Sequence, residues 1–325
     1  MYMNNLSSIE LCAGGGGQAL GVEQAHFDHL ALVENDKWAR ATLELNRPSW
    51  NVLKGDQCDL TKFDARPFNG VDLVAGGVPC PPFSKAGKQL GANDERDLFP
   101  HAVRVIDEVR PKALMLENVR GFLDAVFHDY RNELKLQLKK LGYSRVEWHL
   151  YNACDFGVSQ LRPRVVIVAI HEDFADQFFW PVGSKIKPPT VGELLYEMMA
   201  SNGWGGAQRW REGADEIAPT IVGGSKKHGG PDLGPTRAKR AWAALGVNGK
   251  TIADEPPGPE FVGLPRLTVQ MAAKVQGFPD DWIFAGRKTN AYRQVGNAFP
   301  PPVAEAVAKN INIAITATKK IYTVG

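Results

Sequence analysis

ELCAGGGGQALG, residues 10–21, sets a short apolar run against four consecutive glycines and then a helix-forming stretch. A strand, a glycine loop and a helix start, in that order, open a nucleotide-binding βα unit, because glycines let the backbone approach a ligand closely. Gly14, Gly16 and Ala19 fit the GxGxxA spacing, and Glu34 ends the next apolar run, where an acid can accept both hydroxyls of a ribose. No GK[ST] follows, so the loop is not a phosphate-gripping P-loop. The pattern suits a nicotinamide-dependent dehydrogenase as well as an S-adenosylmethionine enzyme.

The alternation continues outward from that unit. Apolar runs SSIELC (7–12), HLALVE (29–34), VDLVAGG (71–77), ALMLEN (113–118) and RVVIVAI (164–170) alternate with helical stretches such as KWARATLELN (37–46) and LFPHAVRVIDEVR (98–110). The order predicts a doubly wound α/β sheet with helices on both faces. From about 183 to 264 glycine and proline become frequent and periodicity fades, as in a loop-rich inserted module. Helical patterns return at LTVQMAAKVQGF (267–278) and PVAEAVAKNINIAI (302–315), the second with a Val/Ala/Ile stripe suited to packing on a sheet. The expected division is a cofactor-binding domain over 1–182 and 290–325, and a smaller domain over 183–289.

Bulk numbers bound the function. A chain of 325 residues with 44% hydrophobic content can bury a large core. Its net charge of +2 restricts any nucleic-acid affinity to a local patch. The opening MYMNNLSSIELC carries no basic-then-apolar leader pattern, and no apolar run approaches the ~20 residues of a membrane span, so a cytoplasmic location without membrane contact is expected. Cys12, Cys58, Cys80 and Cys154 form no CxxC pair and have no His cluster beside them, which argues against a metal site and for free thiols.

Chemically capable residues follow the apolar runs. GGVPCPPFSKAG (76–87) surrounds Cys80 with prolines and glycines that fix the backbone around one thiol. Asp56, in LKGDQCDL after a further short run, is placed to accept from an adenine amino group. Glu117 leaves a buried run, where burial raises a carboxyl pKa and keeps it able to donate a proton. In an open parallel sheet such positions share one ligand-binding edge. A thiol and a protonated acid in one crevice suit attack on an electron-poor heterocycle.

With these motifs assembled, the chain resembles a DNA (cytosine-5) methyltransferase of the bacterial restriction-modification type over nearly its whole length. The glycine loop resembles that family's cofactor motif, PCPPFS (79–84) its nucleophile motif and ENV (117–119) its acid motif. QLRPR (160–164), RLTVQMAAKVQGFPDDW (266–282) and YRQVGNAFPPPVAEAVAKNI (292–311) match further motifs in order. The resemblance implies S-adenosyl-L-methionine as cofactor, held by Cys12, Ala13, Gly14, Gly16, Gly17, Glu34, Asp56, Gly77, Pro79, Leu98 and Asn297. It implies Cys80, Glu117, Arg162 and Arg164 as catalytic residues, the arginines holding the base O2 and its neighbouring backbone. Ser84, Lys85, Lys88, Arg96, Gln160, Lys226, Lys227 and Arg237 are implied in contacts to double-stranded DNA. The 183–289 stretch takes the place of the target-recognition region. Residues 184–250 hold ten Lys/Arg against six Asp/Glu, and PTIVGG (219–224) resembles that region's Thr-Ile signature. The expected enzyme is a monomer acting beside a cognate restriction endonuclease without a stable complex. Pro81, Ser159, Asn35 and the Gln270–Met271 pair depart from the family's usual residues. Rival readings are an RNA cytosine methyltransferase, a non-catalytic DNA-binding regulator and a dehydrogenase; the last leaves PCPPFS and QLRPR unexplained.

Overall fold

The computed structural model describes residues 5–79, 97–184, 186–223 and 230–321. Cys80, Ser84, Lys85, Lys88, Arg96, Lys226 and Lys227 lie outside the described residues.

Strands β1 (Leu6–Leu11), β2 (Phe27–Val33), β3 (Leu73–Gly76), β4 (Ala113–Val119), β5 (Arg145–Asn152) and β6 (Pro163–Ile170) form one sheet in the order β2-β1-β3-β4-β6-β5. β1 pairs in parallel with β2 and β3, and β3 with β4. β6 runs antiparallel to both β4 and β5, which corrects the expectation of strands all pointing one way. Its amino end therefore reaches the edge where β4 ends, with Arg164 in register opposite Val119.

The strands that were legible are those buried on both faces. In β6, Val165, Ile167 and Ala169 enter one apolar cluster while Val166, Val168 and Ile170 enter the other. A strand covered on both sides reads as an unbroken apolar run. β5, RVEWHLYN, is an edge strand whose burial alternates irregularly, so it shows no such run. The short run before Asp56 forms only an isolated bridge, Leu32 to Val52.

Helices cover both faces. α1 (Gly17–Gln24) and α10 (Pro301–Ile321) pack on one, α10 through the stripe Val303, Ala304, Val307, Ala308 and Ile311. A Cβ on Gly21 of α1 would lie 2.4 Å from the Pro301 carbonyl oxygen, so α10 rests directly on α1. α3 (Phe99–Val109) and α4 (His128–Lys140) cover the other face. α2 (Lys37–Asn46) starts at Asp36, whose carboxylate accepts from the Trp38 and Ala39 N–H groups.

The described residues of the stretch read as loop-rich hold three helices: α5 (Val191–Ala200), α6 (Ala207–Gly213) and α7 (Thr236–Ala244). Thr190 and Glu193 close a reciprocal capping box on α5. Together with α8 (Val269–Val275) and α9 (Lys288–Asn297), these helices build a third apolar cluster around Trp210, Trp242, Met271, Trp282 and Val295. Leu32 and Leu43 extend that cluster back to the sheet. Among the described residues, no helix is long and apolar enough to cross a membrane.

Candidate active site

A cavity of about 780 Å³ opens at the sheet edge where β1 to β4 end. Its first wall is the glycine loop. The Gly14 N–H donates to Glu34 Oε2 at 2.7 Å, and the Asp36 N–H donates to Oε1 at 2.7 Å, so Glu34 fastens the loop to the end of β2. Burial raises the Glu34 pKa, opposed by these two backbone bonds. Each oxygen keeps capacity for a further donor.

Cys12, Ala13, Gly14, Gly15, Gly17 and Gln18 line the cavity, and Gly16 sits in the turn behind them. Gly16 has φ of 89°, and a Cβ there would lie 2.7 Å from the Trp282 ring, so the turn and the packing beneath it both require glycine. Trp282 Nε1 donates to the Gly15 carbonyl at 3.1 Å and holds the loop from below. The Cys12 thiol is pushed well up by burial, then by Glu34 and Glu10, which keeps it a neutral thiol.

Asp56 does not line the cavity. It sits in a short 3-10 turn, is exposed and pairs with Lys62 at 2.8 Å, away from the cavity lining. Asp59, three residues on, lines the cavity instead. Its carboxylate accepts from the Thr61 hydroxyl and N–H, which lowers its pKa and keeps it ionised.

Gly77, Pro79 and Leu98 all line the cavity, and the Leu98 N–H donates to the Pro79 carbonyl at 3.3 Å. Asn118 of the ENV motif donates from Nδ2 to the Val78 carbonyl at 3.2 Å, fixing the backbone two residues before Cys80. Glu117 enters the cavity from β4 and lies 2.7 Å from Arg164 Nε, both side chains being nearly buried. The antiparallel entry of β6 creates this pair. Burial raises the Glu117 pKa, and the positive charges of Arg164 and Arg162 oppose that rise.

Arg162 and Gln160 take other positions than expected. Arg162 is fully buried and donates to three carbonyls: Ile221 at 2.5 Å, Gly296 at 2.8 Å and Ala298 at 2.9 Å. All of its partners are backbone groups, so it serves as a clamp and does not face the cavity. Gln160 is equally buried. It accepts from the Ile221 N–H and donates to Gln276 Oε1, which removes it from any DNA-facing surface. Ser159 donates to the Pro189 carbonyl at 2.6 Å. QLRPR and PTIVGG, two motifs far apart in sequence, are thus paired with each other, helped by Leu161 and Ala218. Arg237 is exposed on α7, near the paired Lys239 and Asp232.

Asn297 lines the cavity, joined by Asn290, Arg293 and Gln294. These four occupy positions i, i+3, i+4 and i+7 of α9, one helix face. That spacing was visible within the YRQVGNAF motif and its approach, and would have found them.

The cavity suits S-adenosyl-L-methionine. Glycine backbone on one side, the Glu34 and Asp59 carboxylates, and buried carboxylate oxygens of Glu10 without partners among the described residues match a ligand rich in hydroxyl, amino and ammonium donors. Fold and cavity together are those of a Rossmann-like α/β protein with room for this cofactor.

The model of the C-5 cytosine-specific DNA methylase family matches residues 6–312. The chain is 55% identical over 316 residues to the Type II methyltransferase M.NaeI of Lentzea aerocolonigenes, covering 96% of this chain and 76% of that protein. It is 52% identical over 321 residues to the Type II methyltransferase M.NgoMIV of Neisseria gonorrhoeae, covering 97% and 98%. The S. pombe Dnmt2 methyltransferase structure shares the fold, with a TM-score of 0.61 at 16% identity over 96% of this chain and 99% of that one. The chain belongs to the C-5 cytosine-specific DNA methylases and is a DNA (cytosine-5) methyltransferase.

Proposed function

We propose that the enzyme methylates C5 of one cytosine within a specific duplex sequence, with Cys80 as nucleophile at C6 and Glu117 as the acid at N3. The observation that carries this reading is Glu117 itself, a buried carboxyl of raised pKa facing a cavity that Pro79, bonded directly to Cys80, also lines. S-adenosyl-L-methionine, held by the glycine loop, Glu34, Asp59 and Asn297, supplies an electrophilic methyl group.

Cytosine C5 is a poor nucleophile. Addition of the Cys80 thiolate to C6, with a proton or hydrogen bond from Glu117 at N3, makes C5 enamine-like and able to take the methyl group. Loss of the C5 proton then expels the thiolate and restores the ring. Arg164 orients Glu117 through their 2.7 Å contact. Because C6 is inaccessible inside a duplex, the nucleotide is flipped out, at a cost of a few kcal/mol offset by pocket contacts.

Residues 1–182 with 290–325 form the catalytic domain of this reading, and 183–289 the target-recognition domain. The exposed Arg237 on α7 fits a phosphate or guanine contact. In this reading the enzyme acts as a monomer beside a cognate restriction endonuclease without a stable complex; the Type II names of the relatives support the restriction-modification setting.

Tritium transfer to duplex DNA and to tRNA, followed by mapping of 5-methylcytosine on plasmid DNA, tests substrate and target together. Transfer to tRNA alone overturns the duplex reading. Glu117→Gln is expected to lower kcat by about 10²–10⁴-fold. A raised carboxyl pKa keeps the acid form available below it and loses that form as pH rises through it, so the variant should also lose the alkaline limb of the kcat profile. Wild-type turnover with that limb intact contradicts the role of Glu117.

A further inference from the structure

Asp97 is a buried acid that the reaction described above leaves unused. It immediately precedes Leu98, which lines the cavity. Its Oδ1 accepts from the Phe99 N–H at 3.1 Å, at the start of α3. The Tyr130 hydroxyl, from α4, donates to the same carboxylate, 2.8 Å from Oδ1 and 3.0 Å from Oδ2. The Tyr130 ring stands edge-on to Phe99, Phe122 and Phe127, with centroids 6.0, 6.5 and 6.3 Å away. Phe99 in turn stacks on Phe122 at 5.9 Å.

A helix start needs only a side-chain acceptor near the surface, as Asp36 supplies to α2 from a half-buried position. Asp97 serves α3 from a buried one, where a carboxylate is costly unless charge-assisted bonds offset it. The Tyr130 bond is such an offset, and its consequence is positional. The phenylalanine rings hold Tyr130, Tyr130 holds Asp97, and Asp97 fixes the backbone that enters Leu98. The Leu98 N–H donates to the Pro79 carbonyl at 3.3 Å, and that carbonyl carbon is bonded to the Cys80 nitrogen. Asn118 holds the preceding carbonyl, that of Val78, from β4. The backbone before Cys80 is thus tied at one point to the strand that carries Glu117, and at the next to Tyr130 by way of Leu98 and Asp97.

We propose that Tyr130 and Asp97 are positioning residues for Cys80: their hydrogen bond fixes Leu98 and, through it, the Pro79 carbonyl, so that the sulfur meets C6 of the flipped cytosine at reacting distance. Misplacing a reacting group by 1 Å costs about 10²-fold in rate, so a small shift of the Pro79 peptide is enough to be read. The inference rests on Cys80 being the nucleophile.

The test follows covalent adduct formation with a duplex carrying 5-fluorocytosine at the target base, in a single turnover of the full chain at saturating duplex and S-adenosyl-L-methionine. Tyr130→Phe deletes one oxygen and keeps the ring, and should slow the step at least about tenfold. Affinity for S-adenosylhomocysteine should stay within about threefold of wild type, because the loss falls on the reacting geometry and not on ground-state binding. Asp97→Ser keeps an acceptor for the Phe99 N–H but is too short to reach Tyr130. It should slow the step equally, and the double variant should be about as slow as either alone. Asp97→Asn retains both bonds and should keep the rate within about threefold of wild type. Thermal melting establishes that each variant is folded; if Tyr130→Phe is not, Asp97→Ser against Asp97→Asn carries the test. Wild-type rates in the folded variants, additive losses in the double variant, or an equal loss of cofactor affinity overturn the proposal. A wild type that methylates the unfluorinated duplex yet forms no adduct removes the nucleophile reading, and this inference with it.

Discussion

Replacing Cys80 by alanine is expected to abolish methyl transfer, lowering kcat on the order of 10⁴–10⁶-fold. Without a nucleophile at C6 the pyrimidine cannot become enamine-like at C5. Burial holds the Cys12 thiol neutral, and Cys154 is raised by burial and by Asp155. Binding of S-adenosylhomocysteine should stay within about twofold of wild type, because loss of a group that acts only in the transition state leaves ground-state binding intact. Cys154→Ala, remote from the cavity lining, should keep wild-type turnover. The check is single-turnover tritium transfer beside calorimetric cofactor binding. Substantial turnover in Cys80→Ala removes the covalent mechanism.

Arg162→Ala should be the most destabilising change in the QLRPR stretch, costing about 3–5 kcal/mol. Three buried carbonyls, those of Ile221, Gly296 and Ala298, lose their donor together, and the space left by a fully buried side chain remains. The clamp joins the PTIVGG segment to the end of α9, where Asn297 lines the cavity. Cofactor affinity should therefore fall along with stability. Lysine restores the charge but not the planar fork, so Arg162→Lys should recover little of the loss. Arg164→Ala contrasts with it: stability changes less, while kcat falls because Glu117 loses its charged neighbour. Denaturant unfolding of the three variants, read beside kcat, separates clamp from catalysis. Equal stability of Arg162→Ala and wild type contradicts the clamp.

Much of this architecture was legible because buried parallel strands print themselves as apolar runs. β1, β2, β3, β4 and β6 were found that way, and α2 matches its predicted limits of 37–46. The edge strand β5 was not, since only two of its eight residues are buried. Direction is invisible in such runs. VVIVAI has the same pattern whichever way it points, and only the pairing of Arg164 with Val119 shows that β6 enters in reverse. That reversal is what brings Arg164 to Glu117.

Site residues divided by the same logic. Glu34 and Glu117 lie at strand ends whose geometry is strictly tied to the sheet, and both reach the cavity. Asp56 follows no strand, and in a turn a shift of three residues separates an exposed acid from Asp59 in the cavity lining. Arg162 and Arg164 are two residues apart, which in a strand would put them on one face, but β6 begins only at Pro163, so Arg162 precedes it and enters a backbone clamp while Arg164 meets Glu117. Helices α5, α6 and α7 escaped notice because the intervening glycines and prolines break the periodic signal, although buried Trp210 and Trp242 anchor them.

Incubating the enzyme and S-adenosyl-L-methionine with a duplex in which 5-fluorocytosine replaces the target base asks the central question directly. Fluorine at C5 cannot leave as a proton does, so a thioether formed at C6 persists through denaturation. Peptide mass analysis should place the nucleotide on Cys80, with one added methyl group on the ring. Free duplex together with unmodified Cys80, under conditions where the unfluorinated duplex is methylated, would contradict covalent attack by this sulfur.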